Sequence, residues 1–489
     1  MNVKIELLER EGKDNGLLLY LAFFCIIFGA KAIVISNFGS SIPYWDQWDA
    51  QADCLYRPWI EGMLKWSDLF ASHNEHRIFN TRLLSLLLLY LNKGVWDPMF
   101  EMYFNAILHT AALVFLLFLM QKGLQSVTRH AFFFFAALLF VVPYGHENTL
   151  AGFQSQFYFL LLFSFIFLWA VTRLHTRHER WFPVIVFSAV LSYFSLASGA
   201  LTIAAGFVTL TIRWFFSIQR SRVVLFIIFF LFVACATAIY FTPIIPDHAA
   251  LKVKSLPDFI EAILRATGGG LLYIPIVFFM IKHFKNIRFA NDHSWFIFAL
   301  FIWVIGQIFA IAYGRSSGIL SSRYRDLLSI GILINTYCLF LMLQNMKIGF
   351  LLKNSVFIYF LSVFIGLGII AFSQIKNIQL KKANSLQSEY NVRSYLVTGD
   401  YTFLQKKPDE EIPYPSAVRL KSLLDNKIIS SILTPVVNSH NANKGLGFYE
   451  EQSKKTLNIT GSVLIFFGIG LFLVDLIKLY MDDKCKSCL

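Results

Sequence analysis

One polar stretch holds most of the residues in this chain that could do chemistry. Residues 40–82 contain acids, histidines and arginines interleaved with tryptophan and tyrosine. Apolar runs flank the stretch on both sides, so its polar groups are expected beside a membrane. Carboxylates and imidazoles among rigid aromatic rings are typical of sites that recognise a sugar or a lipid headgroup. The stretch therefore predicts a site, not a simple connection between two spans.

The motif YWDQWD supplies two candidate catalytic acids, Asp46 and Asp49. Their spacing of three places both on one face of a helix. A carboxylate there could act as general base and take the proton from an acceptor hydroxyl. Acids at a helix N-terminus, favoured by the helix dipole, are the alternative. Trp45 and Trp48 lie beside these acids and favour the functional interpretation, and both rings are predicted to contact substrate. Asp46 is the first candidate for the base because it is closest to the preceding span.

A second cluster follows in the sequence HNEHR, which contains His73, Glu75, His76 and Arg77. Its spacing matches no strong metal motif, so a divalent metal is left open and not assigned. Hydrogen bonding of the histidines and the arginine to a sugar or phosphate is the better interpretation, with Glu75 as a third candidate base. An ordinary solvated loop is the alternative.

The predicted span 97–120 carries a polar stripe, because Glu101, Asn105 and His109 recur at intervals of four. Ionisable groups inside a membrane usually face a cavity or a partner helix, and Glu101 is assigned to substrate binding on that ground. Hydrogen bonding between helices is the alternative.

The loop GRSSGILSSRYRD places Arg315, Arg323 and Arg325 on the side of the membrane where the positive-inside rule predicts few basic residues. Arginine binds phosphate through two parallel hydrogen bonds, so these residues, with Tyr324, are predicted to bind the phosphate of a lipid-linked donor. Pairing with nearby acids is the alternative. The segment GHENTLAGFQSQ adds groups that could bind sugar hydroxyls, or forms a plain turn.

Composition identifies an integral membrane protein. The chain has 489 residues, of which 56% are hydrophobic and 15% charged, against about 25% charged in soluble domains. The net charge of +13 is explained by Lys and Arg in short loops, so nucleic acid is not an expected partner. The sequence contains no P-loop and no dinucleotide-binding fingerprint.

The apolar runs predict an all-α fold that crosses the bilayer about twelve times. Lys and Arg of alternate short loops fall on the side of both termini, which the positive-inside rule assigns to the cytoplasm. The predicted spans are 16–36, 97–120, 131–143, 157–172, 182–197, 199–212, 223–242, 271–281, 295–313, 327–345, 355–373 and 457–480.

Two long polar segments lie on the opposite side in this arrangement. The first, 37–96, is predicted to form two short helices on the membrane surface, over 45–62 and 77–92. The second, 374–456, has apolar residues at helical spacing over 416–432 and is long enough for a small folded lobe. The predicted parts of the chain are a membrane module with its loop over 1–373, the segment 374–456, and a last helix with its tail over 457–489.

The YWDQWD motif, the second surface helix and the SSRYRD motif together resemble the GT-C superfamily of polyprenyl-phosphate-sugar-dependent glycosyltransferases. These enzymes have an acid soon after the first span and later outer loops that bind the lipid phosphate, often with an Arg-Tyr pair opening a span. The twelve-span plan is most similar to serotype-converting O-antigen glucosyltransferases of enteric bacteria and their phages. Residue matches are confined to 43–82 and 321–326, and a glutamine follows Asp46 where the family pairs an Asp with a Glu.

The resemblance implies inverting transfer of a glucosyl or other hexosyl group from undecaprenyl-phosphate sugar to a lipid-linked O-antigen unit. The site would face the periplasm from a bacterial inner membrane, with Asp46, Asp49 or Glu75 as base and Arg323 and Arg325 stabilising the departing phosphate. No certain cofactor is implied. The alternatives are a GT-C transferase that modifies lipid A or protein, and a flippase or transporter of lipid-linked sugar. Polar clusters on one side of the membrane favour chemistry over transport.

Overall fold

The apolar runs form helices throughout the residues that the structure describes. The structure is a computed structural model, and it describes residues 16–174, 178–217, 220–344, 350–408, 410–441 and 445–487. The first residues of the predicted module 1–373 and the last of the predicted tail 457–489 lie outside these ranges. The structure is 78% helical, and within the described ranges strand is confined to one short hairpin. The fold is therefore that of an all-α, multi-pass membrane protein.

The elements are as follows in chain order, omitting short 3₁₀ turns: α1 (Leu17–Phe38), a π-helix (Trp48–Tyr56), α2 (Arg57–Ile60), α3 (Trp66–Leu69), β1 (Ser72–His73), β2 (His76–Arg77), α4 (Phe79–Leu91), α5 (Pro98–Met120), α6 (Ser126–Val141), α7 (His146–Thr149), α8 (Ser155–Arg173), α9 (His178–Tyr193), α10 (Gly199–Phe216), α11 (Arg222–Tyr240), α12 (Leu256–Ala266), α13 (Ile274–Lys285), α14 (Asp292–Gly314), α15 (Ser322–Leu343), α16 (Phe350–Thr398), α17 (Ala417–Asp425), α18 (Lys427–Ile432) and α19 (Glu451–Ser487).

Nine helices in the described ranges are long and apolar enough to cross a membrane, namely α1, α5, α8, α10, α11, α14, α15, α16 and α19. A tenth candidate is α12 together with Leu271–Lys285, a pair bent by 58°. The predicted spans 131–143 and 182–197 are the 16-residue helices α6 and α9, shorter than the roughly 20 residues that a span needs. The count of twelve crossings stays a prediction.

Helix α16 is continuous over 49 residues, a length of about 73 Å. The predicted boundary between 373 and 374 therefore falls inside a helix, because no proline interrupts the sequence there. Gly399, with a φ of +71°, ends the helix in the left-handed conformation that glycine adopts readily. Its N–H donates to the Tyr395 carbonyl at 2.8 Å. One element thus carries polar residues out of the membrane-spanning region.

The two long polar segments fold together into one lobe, defined as residues 39–97 and 392–450. Trp48, Tyr56 and Trp96 meet leucines of α17 and isoleucines of α18 in a shared core, and the backbone N–H of Trp96 donates to the Ile432 carbonyl at 2.7 Å. Within the segment 45–62, which was predicted to lie on the membrane surface, the π-helix is thus largely buried, whereas residues 59–62 are exposed. Its aromatic face packs against the C-terminal segment, which removes more apolar area from water than an exposed surface helix would.

Helix α4, the second predicted surface helix, exposes an apolar stripe of Leu83, Leu87 and Tyr90. This spacing places the three side chains on one helix face. Arg82 on the same helix is buried, and its guanidinium donates to three carbonyls at the end of α3 and just after it, those of Asp68, Leu69 and Ala71. An exposed apolar face of this kind is what a helix lying on a bilayer requires.

The first and last spans, α1 and α19, approach each other through glycines. A Cβ placed on Gly29 would lie 2.6 Å from the Gly461 carbonyl oxygen, and one on Gly461 would lie 2.8 Å from the Gly29 carbonyl oxygen. Only glycine fits at this distance, and small residues of this kind drive close helix packing in membranes. The contact packs the first helix of the described residues closely against the last.

Candidate functional site

A cleft of about 460 Å³ opens where the lobe meets the membrane helices, within the range of roughly 300–1,000 Å³ typical of ligand sites. Its walls come from the end of α1, the loop before the π-helix, α7, the start of α15 and the middle of α16. Polar and apolar groups line it together. The apolar side chains are Phe38, Ile42, Met102, Leu150, Leu320 and Leu380.

Basic residues line one part of the cleft. Arg323 and Arg325 lie in the first turn of α15, and Lys381 lies on α16. The first N–H groups of a helix have no intrahelical partners, and the helix dipole favours an anion at that end. Arg323 and Arg325, predicted to bind phosphate, therefore lie together at the N-terminal end of a helix. Tyr324 is partly buried and packs against the hydrophobic core of the protein.

Arg323 is held at the cleft by Glu147 of α7. The Arg323 Nε donates to Glu147 Oε2 at 3.1 Å, and both side chains are substantially exposed. Such an exposed pair contributes little to stability. It nevertheless fixes the direction of the guanidinium, which can also face an incoming phosphate.

Hydrogen bonds hold helix α7 against α15 next to this ion pair. The Asn148 amide donates to the Arg323 carbonyl and to Asp326 Oδ2, both at 2.8 Å, and the Glu147 N–H donates to Ser322 Oγ at 3.1 Å. A Cβ on Gly145 would lie 2.4 Å from Asp326 Oδ1, so glycine allows this close approach. The segment GHENTLAGFQSQ thus builds part of the cleft.

His146 adds a neutral imidazole to the cleft wall. Burial lowers the pKa of His146 to about 4, although the nearby Glu147 acts in the opposite direction. The imidazole is therefore uncharged near pH 7, and its Nδ1 lies 3.1 Å from Ser322 Oγ. A neutral imidazole can donate to or accept from a sugar hydroxyl.

Sequence reasoning missed the cleft face of α16. Gln374, Asn377, Lys381, Asn384 and Ser388 all line the cleft, and their spacing of three and four is that of one helix face. The Lys381 ammonium lies 4.8 Å from the centre of the Tyr44 ring, a cation–π distance. This polar periodicity was present in the sequence, but the segment was expected to leave the helix at residue 373.

Asp46 is a half-exposed carboxylate between two residues that line the cleft, Tyr44 and Gln47. Its Oδ1 lies 3.7 Å from His73 Nε2. Burial alone would raise the pKa of Asp46, but His73 and the more distant positive charge of Arg323 outweigh it, and the pKa lies below its usual value. Asp46 is therefore ionised near pH 7 and able to accept a proton.

Trp45, directly before Asp46, has a φ of +50°. This value is unusual for a bulky residue, and strained backbone is concentrated at functional sites. The Trp45 N–H donates to the Pro413 carbonyl at 2.8 Å, which holds the strained turn against the C-terminal segment. The indole is partly exposed, so a sugar ring could stack on it.

Asp49 is engaged in a structural ion pair. Arg419 donates to Asp49 Oδ1 from Nε at 3.1 Å and from Nη2 at 2.8 Å, and Nη2 also lies 2.6 Å from Asp53 Oδ2. Tyr414 donates to the other Asp49 oxygen. Hydrogen bonds to Asp53 and Asp49 raise the pKa of Arg419. The carboxylate of Asp49 thus ties the π-helix to α17.

Glu75 and Arg315 form a separate cluster with His248, of the 3₁₀ turn Pro246–Leu251. Glu75 Oε2 lies 2.8 Å from His248 Nδ1, and Glu75 Oε1 lies 3.4 Å from Arg315 Nη2. Burial acts to raise the pKa of Glu75, but the surrounding His76, His248 and Arg315, with a backbone hydrogen bond, outweigh burial and lower it. Arg315, predicted to bind the donor phosphate, is thus placed apart from the residues that line the cleft.

His76 and Arg77 connect the hairpin to the membrane module. His76 Nδ1 lies 3.4 Å from the Ala197 N–H, and desolvation lowers the pKa of His76 to about 4. The Arg77 guanidinium donates to the Phe70 carbonyl at 3.0 Å and to the Phe241 carbonyl at 3.5 Å. These contacts fix the hairpin that carries His73.

Trp48 and Glu101, both predicted to contact substrate, lie in the protein interior. The Trp48 indole donates to the Pro43 carbonyl at 2.9 Å. Glu101 is only 3% exposed and accepts hydrogen bonds from Gln47, Gln51 and Tyr56 at 2.8–3.1 Å. Gln51 and Tyr56 belong to the π-helix, and Gln47 directly precedes it.

These bonds explain the unusual helix. The i to i+5 turn of a π-helix aligns Gln51 with Tyr56, so that both reach one carboxylate. Glu101 therefore positions the segment that follows Asp46.

No group of three or more His, Cys, Asp or Glu side chains that could hold a metal ion occurs among the described residues. Comparisons of the chain with protein-family models, with curated proteins and with solved structures find no match. The function must therefore be argued from the cleft and its surroundings.

Proposed function

We propose that this protein is a membrane glycosyltransferase that moves a hexosyl group from a polyprenyl-phosphate sugar to a hydroxyl of a lipid-linked O-antigen unit. The observation that carries the proposal is the position of Asp46. It is a half-exposed carboxylate between two residues that line a basic cleft beside membrane helices. Glycosyl transfer from a lipid phosphate needs a base for the acceptor hydroxyl and positive charge for the leaving phosphate.

The transfer step follows from these two groups. Asp46 takes the proton of the acceptor hydroxyl as its oxygen attacks the anomeric carbon. The bond from that carbon to the phosphate oxygen breaks, and its electron pair leaves with the lipid phosphate. Arg323, Arg325 and Lys381 stabilise the added negative charge. Attack on the face opposite the leaving group inverts the anomeric configuration.

A lipid-linked donor is supported by the mixed lining of the cleft. Phe38 and Ile42 lie at and just after the end of α1, and Leu380 is adjacent to Lys381 on α16. Apolar residues beside basic ones suit a phosphate attached to an isoprenoid chain, with the sugar directed towards the lobe. Such a donor arrives by lateral diffusion in the bilayer, so no nucleotide-binding motif is required.

The orientation belongs to the same proposal. The lobe would face the periplasm of a bacterial inner membrane, because the Lys and Arg of the opposite loops are expected to stay in the cytoplasm. Addition of a sugar to O-antigen at that face would change the serotype of the cell.

A transporter of lipid-linked sugar is the second candidate, and one observation favours it. Lys31, His109 and Asp326 line a small buried space between membrane helices, with Lys31 Nζ 3.2 Å from Thr149 Oγ1. Neither ring nitrogen of His109 has a hydrogen-bond partner among the described residues. Ionisable groups inside a membrane can mark a transport path.

A reconstituted assay separates these functions. The full chain in liposomes would be supplied with undecaprenyl-phosphate [¹⁴C]glucose and with lipid-linked O-antigen, lipid A or peptide as acceptor. The proposal predicts label on O-antigen with an inverted anomeric configuration. Label on lipid A or peptide would reassign the acceptor. Movement of the donor between leaflets without transfer to any acceptor would overturn the proposal in favour of transport.

A further inference from the structure

A second group of polar side chains lies near Asp46 but outside the cleft. It consists of Glu75, His76, His248 and Arg315, called the Glu75 cluster, none of which lines the basic cleft. The phosphate-binding mechanism proposed above does not use it. Its side chains are each about a quarter exposed, so they can be reached from solvent.

The β1–β2 hairpin connects this cluster to Asp46. His73 and His76 face each other as partners in the hairpin register, and Glu75 lies in the turn between them. His73 lies 3.7 Å from Asp46, and His76 lies 4.0 Å from Glu75. The hairpin therefore links Asp46 to the Glu75 cluster through His73 and His76.

The cluster is incompletely satisfied. Arg315 Nη1 is buried and has no hydrogen-bond partner among the described residues, and the Arg315 contacts to Glu75 and His248 are long, at 3.4 and 3.3 Å. Long contacts of this kind often tighten when a ligand binds. A buried donor without a partner costs free energy unless a ligand or water supplies an acceptor.

The chemistry of the cluster fits sugar hydroxyls. A carboxylate accepts hydrogen bonds from two neighbouring hydroxyls, a guanidinium donates to their oxygens, and an imidazole with a pKa near 4, as His76 has, is neutral and can do either. Positive and negative charges are balanced within the cluster, which favours an uncharged polar ligand over a free phosphate.

We propose that the Glu75 cluster is the acceptor subsite, which binds hydroxyls of the acceptor saccharide and directs one of them to Asp46. This inference rests on the proposed transferase function. Under this proposal Arg315 does not bind the donor phosphate and instead helps to select the acceptor. Glu75 becomes a specificity residue and not the catalytic base.

Steady-state kinetics of the full chain test the proposal, with delipidated O-polysaccharide as the varied acceptor and undecaprenyl-phosphate glucose as donor. Glu75→Gln and Arg315→Lys are each expected to raise the acceptor KM about tenfold, the effect of losing one charge-assisted hydrogen bond. The donor KM should change less than twofold. Asp425→Asn, which removes a surface carboxylate paired with Lys421, is the matched control and should leave both constants unchanged.

Equilibrium binding of the same polysaccharide, measured without donor, distinguishes failure of this inference from failure of the proposed function. Binding that weakens in both variants supports the subsite, even where the wild type transfers nothing and the transferase proposal falls. Active variants with an unchanged acceptor KM and unchanged binding would overturn the subsite alone. If either variant loses thermal stability, His248→Gln takes its place, and its acceptor KM and its equilibrium binding of the polysaccharide are measured in the same way.

Discussion

The Asp46 carboxylate lies 3.7 Å from the His73 imidazole, measured from Oδ1 to Nε2. The first residue precedes the π-helix and the second lies on β1, so two separate elements of the first polar segment meet at this point. The contact favours the ionised form of Asp46, which is the form that a general base needs. It also places the base between the basic cleft and the hairpin.

Replacement of His73 by Asn should move the acid limb of the pH profile. Burial raises the Asp46 pKa, and the neighbouring His73 lowers it. Without His73 the Asp46 pKa rises, so activity is lost at a higher pH on acidification. The measurement is kcat/KM against pH, which reports groups of the free enzyme. His440→Asn, at an exposed position of the lobe, is the control. An unshifted acid limb would show that another group is the base.

Replacement of Lys381 by Met should weaken donor binding. The substitution keeps most of the stem volume and removes a charge from the cleft, so the donor KM should rise about tenfold, the effect of one charge-assisted hydrogen bond. Lys382→Met is the matched control, because the Lys382 ammonium lies over the Phe38 ring and does not line the cleft. Equal effects of the two substitutions would mean that general positive charge, and not the Lys381 position, attracts the donor.

Replacement of Arg419 by Met should loosen the lobe. The change leaves Asp49 and Asp53 without their shared guanidinium, at a cost of about 1–2 kcal/mol for partly exposed groups. A lower Tm and faster proteolysis over 399–416 are expected. Lys421→Met, which removes an exposed pair with Asp425, should change stability by less than about 0.5 kcal/mol. If the Arg419 variant is as stable as the Lys421 variant, Asp49 is not structural.

Replacement of Gly461 by Leu should separate α1 from α19. A Cβ at this position already lies 2.8 Å from the Gly29 carbonyl oxygen, so a leucine forces the helices apart and lowers the Tm of the full chain. Gly470→Leu is the control, because its Cβ would meet nothing within 4 Å. An equal loss of Tm in both variants would indicate that helix propensity or lipid exposure, and not the glycine contact, controls stability at these positions.

The sequence alone predicts the all-α membrane fold because hydropathy is a local property. It also singles out Tyr44–Gln47, Arg323 and Arg325, of which Tyr44, Gln47 and both arginines line the cleft, while their roles stay predictions. Local sequence patterns cannot decide, however, which of Asp46, Asp49 and Glu75 is the catalytic base. Asp49 is separated by 370 positions from Arg419, and this partner, which gives Asp49 a structural role, is invisible to spacing arguments.

Tertiary packing explains the other differences. Trp48 looked like a binding residue beside two acids, yet the C-terminal segment folds back and buries it. Arg315 and Arg323 belong to one loop in the sequence prediction, but the structure places Arg323 in the first turn of α15. Arg315 pairs with Glu75, and Arg323 pairs with Glu147 of α7, so the two arginines lie at different sites. Lys381 went unassigned because α16 continues past the end of its apolar run.

The most direct test of the account compares Asp46→Asn with Asp49→Asn in a host that makes O-antigen, at matched membrane levels and with lipid-linked glucose supplied. The measured quantity is the sugar composition and linkage of the O-antigen. The account predicts that the wild type adds a hexose and that Asp46→Asn lowers the rate by about 10²–10⁴-fold, the usual effect of losing a general base. Asp49→Asn should retain activity in proportion to the folded protein. Full activity of Asp46→Asn would contradict the account.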